Sequence, residues 1–300
     1  MWDEIIRQSI RRTVKSSTTV QDYLIPPGDP GLFGPNSVIW QVHADFISMM
    51  IGGISSLIMQ ALHPQAMAGV WDHSTFKENL PGRLGRTAQF IAATTYGSTE
   101  MALSAIERVK RIHDKVTGID DQGISYQAND PHLLKWVHIT ESFCFLNSHL
   151  RYRDPQMSIS KQNQYFLEIA QIGHLLGGTD LPVTLSSTIE TINIYRQELR
   201  MTKRVETVID LLHHFPTHLL GKPLLSLIVK AGFYNLPNWV YPLIGIMPPT
   251  LIQKKLLDAT ILAIAKPVRY ALRNGIAAHS YQRLGMTAPW LKINIPYSYK

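Results

Sequence analysis

Cysteine is almost absent: Cys144 is the only one in 300 residues. No internal disulfide can form, a cysteine-based structural zinc site is excluded, and the usage fits a reducing compartment. A cytoplasmic location, with membrane association as a variant of it, is the expectation. Charge is also scarce. Charged residues make up 17% and hydrophobic residues 45%, below the roughly 25% charge of ordinary soluble domains. That balance leaves side chains for a sizeable core and for an apolar pocket. The net charge is +7, yet the basic residues nowhere form a run of five, so a nucleic-acid partner is not indicated. A weak attraction to an anionic membrane surface is the better use of that charge.

Several motifs are missing as well. There is no His-Glu-x-x-His for a zinc protease and no Glu-x-x-His for a di-iron bundle. No Walker loop, Gly-x-Gly-x-x-Gly or Gly-x-Ser-x-Gly occurs, so nucleotide binding and serine hydrolysis have no anchor. The start, Met1-Trp2-Asp3-Glu4-Ile5-Ile6-Arg7, reads as an amphipathic helix and not as a signal peptide. Residues 46–62 carry no charge and approach spanning length. They include Ser48, Gly52, Gly53, Ser55, Ser56 and Gln60, and read as a buried core helix.

What is present is helical periodicity from end to end, with almost no strand-like alternation. A first helix is expected at 3–17, within an N-terminal segment 1–24, followed by a Pro- and Gly-rich loop to residue 36. One long helix is expected at 37–62, then helices near 65–72, 82–96 and 99–116. A short hairpin near 120–127 precedes further helices near 131–151, 160–176, 185–199, 202–214, 222–234, 250–273 and 275–284. Asp130 followed by Pro131 is a helix start, and Gly97 and Gly118 are stops. No linker divides the chain. The expectation is one all-α domain over residues 1–300, with 201–300 as a less distinct helical extension.

Two segments offer site chemistry. Arg83, Arg86 and Thr87 lie three and four apart and share one side of a helix, which continues as Phe90, Ile91 and Thr94. Guanidiniums beside an apolar stripe are costly unless an anion meets them. His113 lies on or beside a stripe of Leu103, Ile106, Val109, Ile112 and Val116. Together they suit a buried anionic cofactor with a single axial ligand. Spacing alone leaves other readings open: a solvated first turn for the arginines, and a satisfied core histidine at 113. His43 reads as a buried hydrogen-bonding partner, His63 as helix-end chemistry, and Asp72 and Ser74 as caps or pocket residues.

An ordered series of motifs carries a resemblance. It runs through Gly28-Asp29-Pro30, Phe33-Gly34-Pro35, Val42-His43-Ala44-Asp45, Gly52-Gly53 and Gln60-Ala61-Leu62-His63-Pro64. It continues with Ala68-Gly69-Val70, His73-Ser74, Gly82-Arg83-Leu84-Gly85-Arg86-Thr87 and the His113 helix. It ends in Tyr126-Gln127-Ala128-Asn129-Asp130-Pro131 with Trp136-Val137-His138. Over about residues 25–200 the chain resembles the MpaB-type oxygenases, the DUF2236 family, which includes the latex clearing proteins. The resemblance implies a globin-like helical core around a b-type haem, with His113 as the iron ligand. It also implies that Arg83, Arg86 and Thr87 contact the haem and serve catalysis. The partners it implies are O2 and a lipophilic, unsaturated, isoprenoid-like substrate. The latex-cleaving members carry a lysine at the position of Arg86. A guanidinium stays protonated and cannot cap iron as that lysine can. Two alternatives from other classes are a haem-binding protein without catalysis and a membrane-surface, lipid-binding helical protein without haem. The latter points to the apolar segment 236–247.

Overall fold

The structure is a computed structural model describing residues 19–214 and 222–292. The helix expected at 3–17 lies outside the described residues. Helices dominate, and the strands form one two-stranded antiparallel hairpin, β1 (Thr117–Ile119) with β2 (Ser125–Gln127). Val20–Leu24 is a 3-10 turn.

The helix expected over 37–62 is two helices, α1 (Val38–His43) and α2 (Phe46–Ala61). Asp45 causes the break. Its backbone is extended and its carboxylate accepts from Ser48 N at 3.0 Å, so it caps a new helix. The chain bends again at His63 into α3 (Pro64–His73), with Pro64 in the first turn. Next come α4 (Leu80–Tyr96) and α5 (Thr99–His113). Ser98 caps α5, and Thr99 donates to Asp29 through its backbone and its hydroxyl. Helix α5 stops three residues earlier than expected, and Gly118 lies in β1, where a side chain would meet the Tyr126 ring.

Helix α6 (Pro131–Tyr152) starts from the Asp130 cap as the sequence indicates. Helices α7 (Ile159–Leu175), α8 (Leu185–Tyr195), α9 (Lys203–His213) and α10 (Lys222–Tyr234) follow. The C-terminal set is α11 (Val240–Leu243), α12 (Leu251–Leu272), α13 (Ile276–Arg283) and α14 (Pro289–Lys292).

Helices α2 and α6 form the spine. A Cβ on Gly52 would come within 2.9 Å of the Cys144 carbonyl oxygen and the Phe145 Cα, so glycine lets the two backbones touch. The small polar residues of α2 tie helices together: Ser55 donates to Gly232 O at 3.0 Å and accepts from Asn235 Nδ2 at 3.3 Å. One buried cluster, including Ile51, Ile54, Ile58, Trp136, Ile139, Val208, Ile228 and Ile261, surrounds this spine. A second gathers Tyr23, Ile39, Trp40, Tyr96, Tyr165, Phe166 and Tyr281. Among the described residues, no single helix is long and apolar enough to cross a bilayer.

The C-terminal helices are locked in by two arginines, Arg283 and Arg269. Arg283, 2% exposed, donates to the carbonyls of Asp29, Tyr23, Tyr96 and Gly97. Arg269 on α12 reaches Asp45 through Nε and NH2, and the Tyr152 carbonyl at 2.8 Å.

Candidate functional site

Helices α4, α5, α6 and α7 converge on a cavity of about 80 Å3. Phe90, Ile91 and Thr94 face it from α4, His113 from the end of α5, and Leu134, Val137, His138 and Glu141 from α6. The α6 residues follow three- and four-residue spacing, so one helix face carries them all. Ile169, Ile172, Gly173 and Leu176 close the α7 side, and His43 contributes from α1. Gly173 is required here, because a Cβ would sit 2.8 Å from His138 Nδ1. A larger groove of about 410 Å3, on the outer side of α7, is open to solvent. Its one titratable group, His174, already meets the Gly178 carbonyl at 3.0 Å.

The polar groups at the cavity are unusual in having few partners. His113 Nδ1 and His138 Nε2 are buried without a hydrogen bond. Burial, then the nearby Arg83 guanidinium, lowers the His113 pKa, so the ring is neutral with a free lone pair at pH 7. Burial pushes His138 down to about 4, helped by His174. Burial raises Glu141 from 4.5 to about 7, and the Arg83 charge opposes that rise only in part. Arg83, itself lowered by burial and by Arg86, feels the Glu141 charge in return. Among the described residues no hydrogen bond joins Arg83 to Glu141, so the pair acts through space. His43 differs from the other two histidines. It is satisfied on both nitrogens, by Thr95 Oγ1 at 2.8 Å and Tyr165 OH at 3.1 Å, and burial holds it at about 3.

This is a largely aliphatic cavity with three neutral imidazoles, two of them with an unpartnered nitrogen, one carboxyl that exchanges its proton near neutrality, and a guanidinium nearby. Comparison with known families decides what it belongs to. The family model for the "ER-bound oxygenase mpaB/B'/Rubber oxygenase, catalytic domain" matches residues 40–266. The chain is a member of this oxygenase family. Neither the curated proteins nor the solved structures gave a match.

Within this MpaB/rubber-oxygenase domain, the residues singled out from sequence part company. Arg83 is half-buried and within electrostatic reach of His113 and Glu141, though it does not itself line the cavity. Arg86 is exposed, with NH2 3.5 Å from Thr75 Oγ1, and does not line the cavity. Thr87 donates to the Arg83 carbonyl at 3.3 Å, one turn back along its own helix. The stripe expected to seat His113 is also thinner: Ala102 and Ile106 are buried, while Leu103 and Ile112 are 40% and 52% exposed. His113 is partly buried at the cavity, where residues of α4 and α6 face it.

Other motif residues serve structure. Tyr126 OH donates to Asp72, which also pairs with Arg204 at 3.4 Å. His73 contacts the Thr117 carbonyl, and Ser74 donates to Val70 O. Glu141 was not singled out from sequence, whereas His138 belongs to the motif series above and does face the cavity. The signal for Glu141 was there: it is an acid on the face shared by Leu134, Val137 and His138.

Proposed function

We propose that this protein is a b-type haem-dependent oxygenase with a globin-like helical core around the cofactor. It acts with O2 on a lipophilic, unsaturated, isoprenoid-like substrate by oxidative cleavage of a carbon–carbon double bond. The observation that carries the reading is the neutral, unpartnered His113 imidazole at an apolar cavity beside Arg83 and Glu141. The donor set fits a haem: neutral imidazole is a good iron ligand, and a guanidinium answers a propionate. The cavity of about 80 Å3 is smaller than the roughly 300–1,000 Å3 typical of ligand pockets. Loading must therefore part its walls, and α5, with only Ala102 and Ile106 buried, is the wall that yields most easily.

Iron porphyrin, when bound, supplies the one-electron and O2 chemistry. The protein's own work is more limited. His113 would hold the metal. Arg83 keeps His113 neutral and orients negative charge in the cavity. Glu141, poised near pH 7, holds or gives a proton at its carboxyl. The side chains of Phe90, Ile91, Leu134, Val137, Ile169 and Ile172 exclude water and suit an aliphatic substrate. Arg86 and Thr87 act from the outer side of the same helical turn.

Reconstitution with haem tests the reading. The expected result is a Soret band that His113→Ala shifts or abolishes, and an O2-dependent cleavage product from a polyunsaturated isoprenoid. Arg83→Ala should cost more activity than Arg86→Ala. A protein that takes up no haem sinks the oxygenase reading, and a haem protein without product is a carrier or sensor instead.

A peripheral membrane contact belongs to the same proposal. The segment expected to supply it, 236–247, is largely packed: Leu236, Val240, Tyr241 and Ile244 are at most 4% exposed. The exposed apolar ridge lies next to it, at the start of α12. Met247, Leu251, Ile252 and Leu256 are 71–86% exposed, with Lys254 and Lys255 among them. Aliphatic side chains that insert, flanked by lysines that meet phosphate, are the chemistry of an anionic lipid surface. Sedimentation with phosphatidylserine vesicles should fall more than about tenfold for Leu251→Asp/Ile252→Asp, since each lost insertion is worth over 1.4 kcal/mol. Unchanged sedimentation removes the ridge from the proposal.

A further inference from the structure

On the face of α6 opposite the cavity lies a second group of donors. His132 and Trp136 are one turn apart on this face, offset by two residues from Leu134 and His138. His63, in the bend between α2 and α3, and Glu198, just after α8, come to the same place. His63 Nε2 lies 3.1 Å from Glu198 Oε2, and His132 Nε2 lies 2.7 Å from the same oxygen. All three ligand atoms are within 4.8 Å of one another. From these residues we propose that His63, His132 and Glu198 form a binding site for a divalent transition ion of the zinc class, separate from the cavity.

Hydrogen bonding favours this assignment. The Tyr195 hydroxyl lies 2.9 Å from the His132 carbonyl and 3.1 Å from His132 Nδ1. Its one hydrogen goes to the carbonyl at the shorter distance, and its oxygen then accepts from Nδ1–H. That tautomer leaves the Nε2 lone pair aimed at a carboxylate oxygen 2.7 Å away. Two acceptors at that distance repel unless a cation lies between them. Tyr195 also stacks on the His132 ring, with centroids 4.5 Å apart, which fixes the ring plane. This is the orienting contact that metal-bound histidines commonly have.

The second histidine is more deeply buried, and its Nδ1 has no hydrogen-bond partner. His63 is 2% exposed, with the Trp136 and Tyr195 rings at 6.2 and 6.3 Å. The backbone N–H of Arg200 donates to the Leu62 carbonyl at 2.8 Å, which pins the Glu198 segment to the bend carrying His63. Ligands of a tetrahedral zinc ion stand about 3.3 Å apart, so the two histidine–carboxylate separations of 3.1 and 2.7 Å need only small adjustment. Two imidazoles and one carboxylate are a zinc-type donor set that keeps a position open for water. Half-exposed His132 and Glu198 give an ion access from solvent. Such an ion would join the α2–α3 bend, the start of α6 and the end of α8, which are remote in sequence.

The test is calorimetric titration of the full-length, chelator-stripped protein with Zn2+ alone. The expected result is one equivalent bound, together with a rise in melting temperature. His132→Ala and Glu198→Gln, both at half-exposed positions, should remove the binding. Tyr195→Phe should weaken it about 10–100-fold, as loss of an orienting partner does. His113→Ala in the cavity and His214→Ala on the surface should leave it unchanged. Cobalt(II) in the same site should give visible ligand-field bands that Glu198→Gln abolishes. The proposal is overturned if no Zn2+ binds, in which case a proton bridges His132 and Glu198. It is equally overturned if binding survives both His132→Ala and Glu198→Gln, or is lost with His113→Ala or His214→Ala.

Discussion

Glu141→Gln is expected to leave stability nearly unchanged at pH 4 and to raise it by about 3 kcal/mol at pH 8. Burial lifts the Glu141 pKa from 4.5 to about 7 in the folded protein. The folded state then binds a proton that the unfolded state releases between those values. Stability from this group is full below pH 4.5 and is lost as pH rises through about 7. Glutamine has the shape of the neutral acid and no proton to lose, so the slope disappears. Urea unfolding of both proteins from pH 4 to 8 measures it. Parallel curves would mean that Glu141 is solvated and cannot hold a proton at neutrality. The same substitution should slow any proton-dependent step at the cavity, which links the stability cost to the proposed use of the residue.

Arg269→Met should destabilise the protein by about 3–5 kcal/mol, the usual result of stranding one member of a buried ion pair. Asp45 is 5% exposed, and Arg269 reaches both of its oxygens. Burial alone would raise the Asp45 pKa, but the hydrogen bond and charge of Arg269, with Ser48, outweigh it and hold the carboxyl below its ordinary 3.8. In the native protein this contribution is present above 3.8 and is lost as pH falls through the lower folded value. Without Arg269, burial dominates and the sign reverses. The deficit of the variant should narrow as pH is lowered and the stranded carboxyl takes up a proton. Asp45→Asn should cost less, because Arg269 is a quarter exposed and keeps the Tyr152 carbonyl. Chemical denaturation gives the order, and an Asp45→Asn effect as large as Arg269→Met would contradict the account.

Helices were legible where local chemistry acts alone. Asp130 with Pro131 starts α6, Gly97 ends α4, and the ranges of α10, α12 and α13 follow directly from apolar spacing and breakers. Errors came where a distant residue decides. Asp45 breaks the expected long helix because Arg269, 224 positions away, joins Ser48 in holding its carboxylate. Gly118 belongs to a strand because the Tyr126 ring occupies the space a side chain would need. His63 was read as meeting its own helix-end carbonyls but meets Glu198, 135 positions on. At the candidate site, spacing placed Arg83, Arg86 and Thr87 on one side. Spacing could not tell that Arg83 is the one within electrostatic reach of His113 and Glu141, since neighbouring helices set that direction.

By itself, the sequence determined the all-α class, the absence of a disulfide framework, the family, and the two helices that carry Arg83 and His113. These follow from periodicity, composition and ordered motifs, which are local or additive. Only the tertiary structure decided that Glu141 and His138 share the cavity with His113, and that Arg86 points outward. It alone brought His63, His132 and Glu198 together. Those facts depend on which faces of separate helices meet, and on the burial that meeting imposes. Burial is also what turns an ordinary glutamate into an acid poised at neutral pH.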